Sequence, residues 1–141
     1  MSEMTNIAMI LAAFLSAIAA ILHIAIIFGG ASWYRFFGAG EQMAMAAKSG
    51  RIYPAFFTLM IALVLTIWAA YALSGAELFP PLPFLKLILS LITVAYLLRG
   101  SLIFWLVFFD RSKMTPFLCW SSIICLFYGI VHLYGIFQIP D

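Results

Sequence analysis

Residues Ile7 to Gly29 read IAMILAAFLSAIAAILHIAIIFG, 23 residues in which only Ser16 and His23 are polar. A helix that crosses the hydrocarbon of a bilayer needs about 20 such residues. A cleavable signal peptide would open on basic residues and carry a shorter apolar core. Here the leader MSEMTN holds Glu3 and no lysine or arginine. The segment therefore reads as a retained spanning helix.

Three further stretches repeat the pattern. Pro54 to Leu73 opens on a proline, which suits the first turn of a helix, and closes at Ser74-Gly75. Phe84 to Phe109 follows the breaker Pro80-Pro81-Leu82-Pro83 and is interrupted only by Lys86 and Arg99. Pro116 to Phe137 again opens on proline. Across the chain 67% of residues are hydrophobic and 9% charged, against about 25% charged in an ordinary soluble domain. Too few polar side chains remain to cover a surface in water. The expected fold is an all-α integral membrane protein, a single domain over residues 1–141. Four transmembrane helices (about 7–29, 54–73, 84–109 and 116–137) form its antiparallel bundle.

The first connection, Gly30 to Tyr53, is the long one. Within it EQMAMAAKSG suits a short helix that Gly50 would stop, and its apolar residues favour the membrane interface. Lysine and arginine set orientation. Arg35, Lys48 and Arg51 lie in the first connection and Arg111 and Lys113 in the third, whereas the opposite side holds only Lys86. Both of these connections are expected to face the cytoplasm, with both termini outside, in the periplasm of a bacterial inner-membrane protein.

Arg99 is the most unusual residue. An arginine near a helix centre costs roughly 2.5–3.5 kcal/mol on insertion scales, so it should find partners, and Tyr96 one turn earlier is a local candidate. Two kinds of reading stand: a snorkelling arginine that obeys the charge rule, or an anchor for an anionic headgroup, a carboxylate ligand or a buried network. His23 lies on a face lined by Ala8, Ala12, Ser16 and Ala20. Such small residues let membrane helices approach closely, so His23 is expected in a helix interface, bonded across it or serving a ligand. His132 shares its helix with Ser121, Cys125, Tyr128, Gly129 and Gly135, a polar stripe that either lines a cavity or packs tightly. The first loop adds Tyr34, Arg35, Glu41 and Arg51. Together with Arg99 and His23 it would make a cationic, aromatic-rimmed pocket suited to a lipid headgroup.

Several chemistries are disfavoured. A haem shared by His23 and His132 would need both at one depth, yet they lie near opposite ends of their helices, roughly 15–20 Å apart. Two histidines without a carboxylate in the spans make a poor metal site. The spans carry no aspartate or glutamate, which argues against a proton-coupled carboxylate transporter. No GxSxG, HExxH or GxxxxGK[ST] pattern occurs, and no catalytic residue, cofactor or metal is assigned. A net charge of +2 with no basic cluster gives no sign of nucleic-acid binding. Cys119 and Cys125, six residues apart, point about 120° from one another and read as packing residues.

The leading reading is a non-catalytic bundle that binds a lipid-like or anionic amphiphilic ligand near the cytoplasmic leaflet, with membrane lipids as partners. Its small-residue faces also suit a homo-oligomer. The alternatives are an accessory or assembly subunit of a larger membrane complex, and an integral-membrane enzyme using His23 and Arg99 on a lipophilic substrate.

Overall fold

A computed structural model describes residues 6–140. Among them the order is α1 (Ile7–Gly29), α2 (Ala31–Phe36), α3 (Glu41–Lys48), α4 (Tyr53–Gly75), α5 (Leu85–Phe109), a single 3-10 turn (Arg111–Lys113) and α6 (Pro116–Phe137). The long helices α1, α4, α5 and α6 are each long and apolar enough to cross a membrane. α4 starts one residue earlier than the sequence suggested and runs two residues further. The short α2 was not anticipated: ASWYRF has no repeating pattern long enough to reveal a helix of 6 residues.

The distribution of side chains identifies the solvent. Large apolar groups are exposed, among them Phe28 at 86%, Phe108 at 80% and Ile7 at 72%. Much of the interior is small residues instead: Ala12, Ser16, Ala20, Ala62, Ala69 and Ala72 are all buried, beside larger groups such as Met9, Leu89 and Ile92. Water would penalise that inversion, because exposed apolar area costs free energy in proportion to its size. Lipid does not, and small residues gain by letting backbones close up. The chain is an all-α integral membrane protein.

Helix ends follow local chemistry. Thr115 caps α6, its hydroxyl oxygen accepting from the Leu118 N–H at 3.0 Å, with Pro116 at the first helical position. α2 and α3 each stop at a glycine of positive φ, Gly38 (76°) and Gly50 (80°). There the next residue's N–H turns back to the helix, Ala39 to the Tyr34 carbonyl and Arg51 to that of Ala46.

The chain divides into two compact units, with boundaries inside α1 after Ser16 and inside α4 after Thr66. The first comprises the described residues up to Ser16 together with Ile67 onward. In it α5 and α6 pack as an antiparallel pair through glycines. A Cβ on Gly100 would meet the Leu126 backbone nitrogen at 2.6 Å, and one on Gly129 would meet that of Leu97 at 3.2 Å. The start of α1 is tied to α6. The Asn6 side-chain amide donates to the Gly135 carbonyl at 2.9 Å, and the Tyr128 hydroxyl donates to the Leu15 carbonyl at 2.8 Å.

The second unit runs from Ala17 to Thr66. Its interior is a small cluster of Ile26, Tyr34 and Ala44, flanked by Ala31, Phe37, Met43 and Ala47. α2 and α3 thus fold against each other and onto the end of α1.

Candidate functional site

In the first unit, Arg99 lies on the exposed side of α5 and reaches across to α6. Its guanidinium donates to the Ser121 hydroxyl at 3.0 Å and to the Ser122 hydroxyl at 3.2 Å. Arg99 is ten residues from the end of α5, about 15 Å, whereas Ser121 is five residues from the start of α6, about 8 Å. The side chain therefore extends toward the Phe109 end of the hairpin, as a snorkelling arginine does. Both hydroxyls are neutral, so they solvate the cation without cancelling it.

No carboxylate does so either. The acidic side chains among the described residues are Glu41, Glu77 and Asp110, all outside the spanning helices. Glu41 is taken by Arg35. Asp110 accepts from the Ser112 hydroxyl and lies 3.5 Å from Lys113, and these contacts hold its carboxyl below the ordinary range. An arginine facing lipid with only serines as partners is an unbalanced charge in a low-dielectric medium.

Tyr96 is not the partner of Arg99. Although one turn away, it points into the unit, where its hydroxyl pairs with that of Ser16 at 2.8 Å. Around it the rings of Trp68, Tyr128 and His132 lie with centroids at 5.1, 5.2 and 5.0 Å. His132 is wholly buried. Its Nδ1 lies 2.7 Å from the Tyr128 carbonyl of its own helix, which makes Nδ1 the donor. Nε2 is left as a buried acceptor with no partner among the described residues. Of the two roles the sequence left open for the polar stripe on α6, tight packing is the one observed at His132.

In the second unit, Arg35 and Glu41 form a two-pronged pair, Nε and one terminal nitrogen each 2.8 Å from a carboxylate oxygen. Their mutual hydrogen bonding raises the pKa of the arginine and lowers that of the glutamate, so both stay charged and satisfy each other. The pair staples α2 to the first turn of α3. Tyr34 is 2% exposed, its ring in the Ile26–Ala44 cluster and its hydroxyl without a partner among the described residues. His23 does not bond across an interface; its Nδ1 takes the Ala19 carbonyl one turn back in α1 at 2.7 Å. Arg51 is exposed and lines a groove described below.

The candidate residues are divided between the two units. Arg99, Tyr96 and His132 belong to the first unit, and His23, Tyr34, Arg35, Glu41 and Arg51 to the second. The sequence did not point to Ser122 as a partner of Arg99, or to Ser16 as the partner of Tyr96. Hydroxyl residues are frequent in membrane helices, and only helix rotation selects the ones that meet.

The fold and the exposed guanidinium define a small polytopic membrane protein with a cationic site on one helical hairpin. No family model matches the chain, and neither a curated protein nor a solved structure is similar to it.

Proposed function

We propose that this protein is a non-catalytic membrane protein that binds an anionic amphiphile, with Arg99 as the anchor. The observation that carries this reading is the environment of the guanidinium. It faces the lipid side of the α5–α6 hairpin, is oriented by Ser121 and Ser122, and has no acidic partner among the described residues. Two of its five N–H donors serve the serines. The rest suit a phosphate or carboxylate, which an arginine fork binds in two-pronged fashion. The ligand's tail would lie along the exposed apolar faces of the same hairpin. By the lysine and arginine count, this end of the hairpin lies toward the cytoplasmic leaflet of a bacterial inner membrane.

The experiment is native mass spectrometry of the detergent-purified protein with its co-purified lipid. Arg99→Leu should lose an anionic lipid that wild type retains, and Arg99→Lys should keep part of it, since the charge remains and the fork does not. Retention of the same lipid in unchanged amount by Arg99→Leu would sink the proposal.

A further inference from the structure

The second unit contains two grooves whose linings alternate over three consecutive residues, Arg51, Ile52 and Tyr53. One is apolar, about 350 Å³, between the end of α1 and the start of α4; its walls include Ile24, Phe28, Ile52, Phe56 and Leu59, with Ala55 at its floor. The other is of mixed lining, about 490 Å³, and runs along α3, where Met45 and Ala46 are joined by the polar Gln42, Ser49, Arg51 and Tyr53. Ile52 belongs to the first groove, and its neighbours Arg51 and Tyr53 belong to the second. An apolar groove and a groove with hydrogen-bonding groups and a cation, lined by consecutive residues, match the two halves of a membrane lipid.

The charge of Arg51 is free to act. Glu41 also borders the polar groove, but both its oxygens are held by Arg35. Arg51 uses only its backbone, N–H to the Ala46 carbonyl at 3.0 Å, and its side chain makes no hydrogen bond or ion pair among the described residues. The apolar groove lies on helices long enough to cross a membrane, so lipid tails are its surroundings.

We infer that the two grooves are a binding site for a phospholipid: one acyl chain in the α1–α4 groove, and the phosphate on Arg51 with Ser49 and Tyr53 in reach of the remaining headgroup. The site is built from the second unit alone, and its test reads out independently of Arg99. Its occupant is a phospholipid rather than a free phosphate or a neutral diacyl lipid, because each of those fills only one of the two grooves.

The test uses full-length protein in nanodiscs doped with phosphatidylglycerol bearing a diazirine in one acyl chain, and in parallel with the matching diacylglycerol. Peptide mapping after irradiation should place label on Ile24, Phe28 and Phe56 above the level on Leu11 and Phe14 of the same protein. Arg51→Gln should lower groove labelling by phosphatidylglycerol about fivefold, the effect of one surface cation on an anionic lipid, and leave diacylglycerol labelling unchanged. Ala55→Trp, which fills the groove, should lower labelling by both. The site is refuted by phosphatidylglycerol labelling no higher in the groove than on Leu11 and Phe14, or by labelling indifferent to Arg51→Gln. Since Arg99→Leu should not change groove labelling, loss of the Arg99 site and loss of this one read out separately.

Discussion

The Ser16 and Tyr96 hydroxyls meet at 2.8 Å across 80 residues of chain, joining α1 to α5 inside the first unit. Both side chains are buried, Ser16 completely. In a membrane interior such a pair has no water to replace a lost partner, though measured interhelical bonds average only about 0.6 kcal/mol and reach about 1.7. Tyr96→Phe and Ser16→Ala should each destabilise by about 1 kcal/mol, and the double variant by less than the sum, because one bond is lost in all three. Unfolding in mixed micelles across this cycle checks it; strict additivity would show that the two hydroxyls act separately.

His132 makes the opposite prediction. Among the described residues its Nε2 is a buried acceptor without a donor, a defect of about 1–3 kcal/mol. Phenylalanine keeps a ring of similar shape beside Tyr96 and removes the orphan atom. His132→Phe should therefore raise the unfolding midpoint. A fall instead would mean that Nε2 receives a hydrogen bond from a bound molecule in the membrane, and would mark the aromatic cluster as a second place to look for a ligand.

The Arg35–Glu41 pair sets a pH dependence for α3. Glu41 has its pKa lowered by the Arg35 hydrogen bonds, so the folded state binds its proton less readily than the unfolded one. The stabilisation is present above the ordinary glutamate value of 4.5 and is lost as pH falls through the lower folded value. Hydrogen exchange of the Glu41–Lys48 amides, corrected for intrinsic rates, should show protection that is steady at neutral pH and declines below about pH 4. Glu41→Gln should have the lower protection at neutral pH, with the difference closing as pH falls through the lowered folded value. Equal protection in wild type and Glu41→Gln at neutral pH would remove the staple from the account.

The distribution of basic residues gives a topology to test. With Cys119 and Cys125 replaced by alanine, Ser112→Cys should react with a membrane-impermeant thiol reagent only after the membrane is opened. Glu77→Cys should react in intact cells. The reverse pattern would invert the orientation and place the Arg99 guanidinium toward the outer leaflet.

What could be read from sequence followed from hydration and local geometry. The spanning helices are visible because burying a backbone in lipid forces long uniform apolar runs, and Pro54, Pro116 and Gly50 mark ends through their fixed or permissive φ. The helix over Glu41–Lys48 was legible from Glu41 at its start and Gly50 at its end. Ala31–Phe36 was hidden because it spans fewer than two turns.

The site was legible only in part. Arg99 stands out because a charge in an apolar run is costly wherever the helix is rotated. Its partners did not, since Tyr96 is nearer in sequence than Ser121 or Ser122 yet faces another way. A single turn of α5 points Tyr96 inward to Ser16 and Arg99 outward across to α6. The amino-acid order determined that this chain lives in a bilayer and where its helices begin and end, because those depend on solvation and on local torsions. Which hydroxyls hold the arginine, which histidine nitrogen lacks a partner among the described residues and which groove Arg51 lines were decided by tertiary packing, because each depends on how one helix is rotated against another.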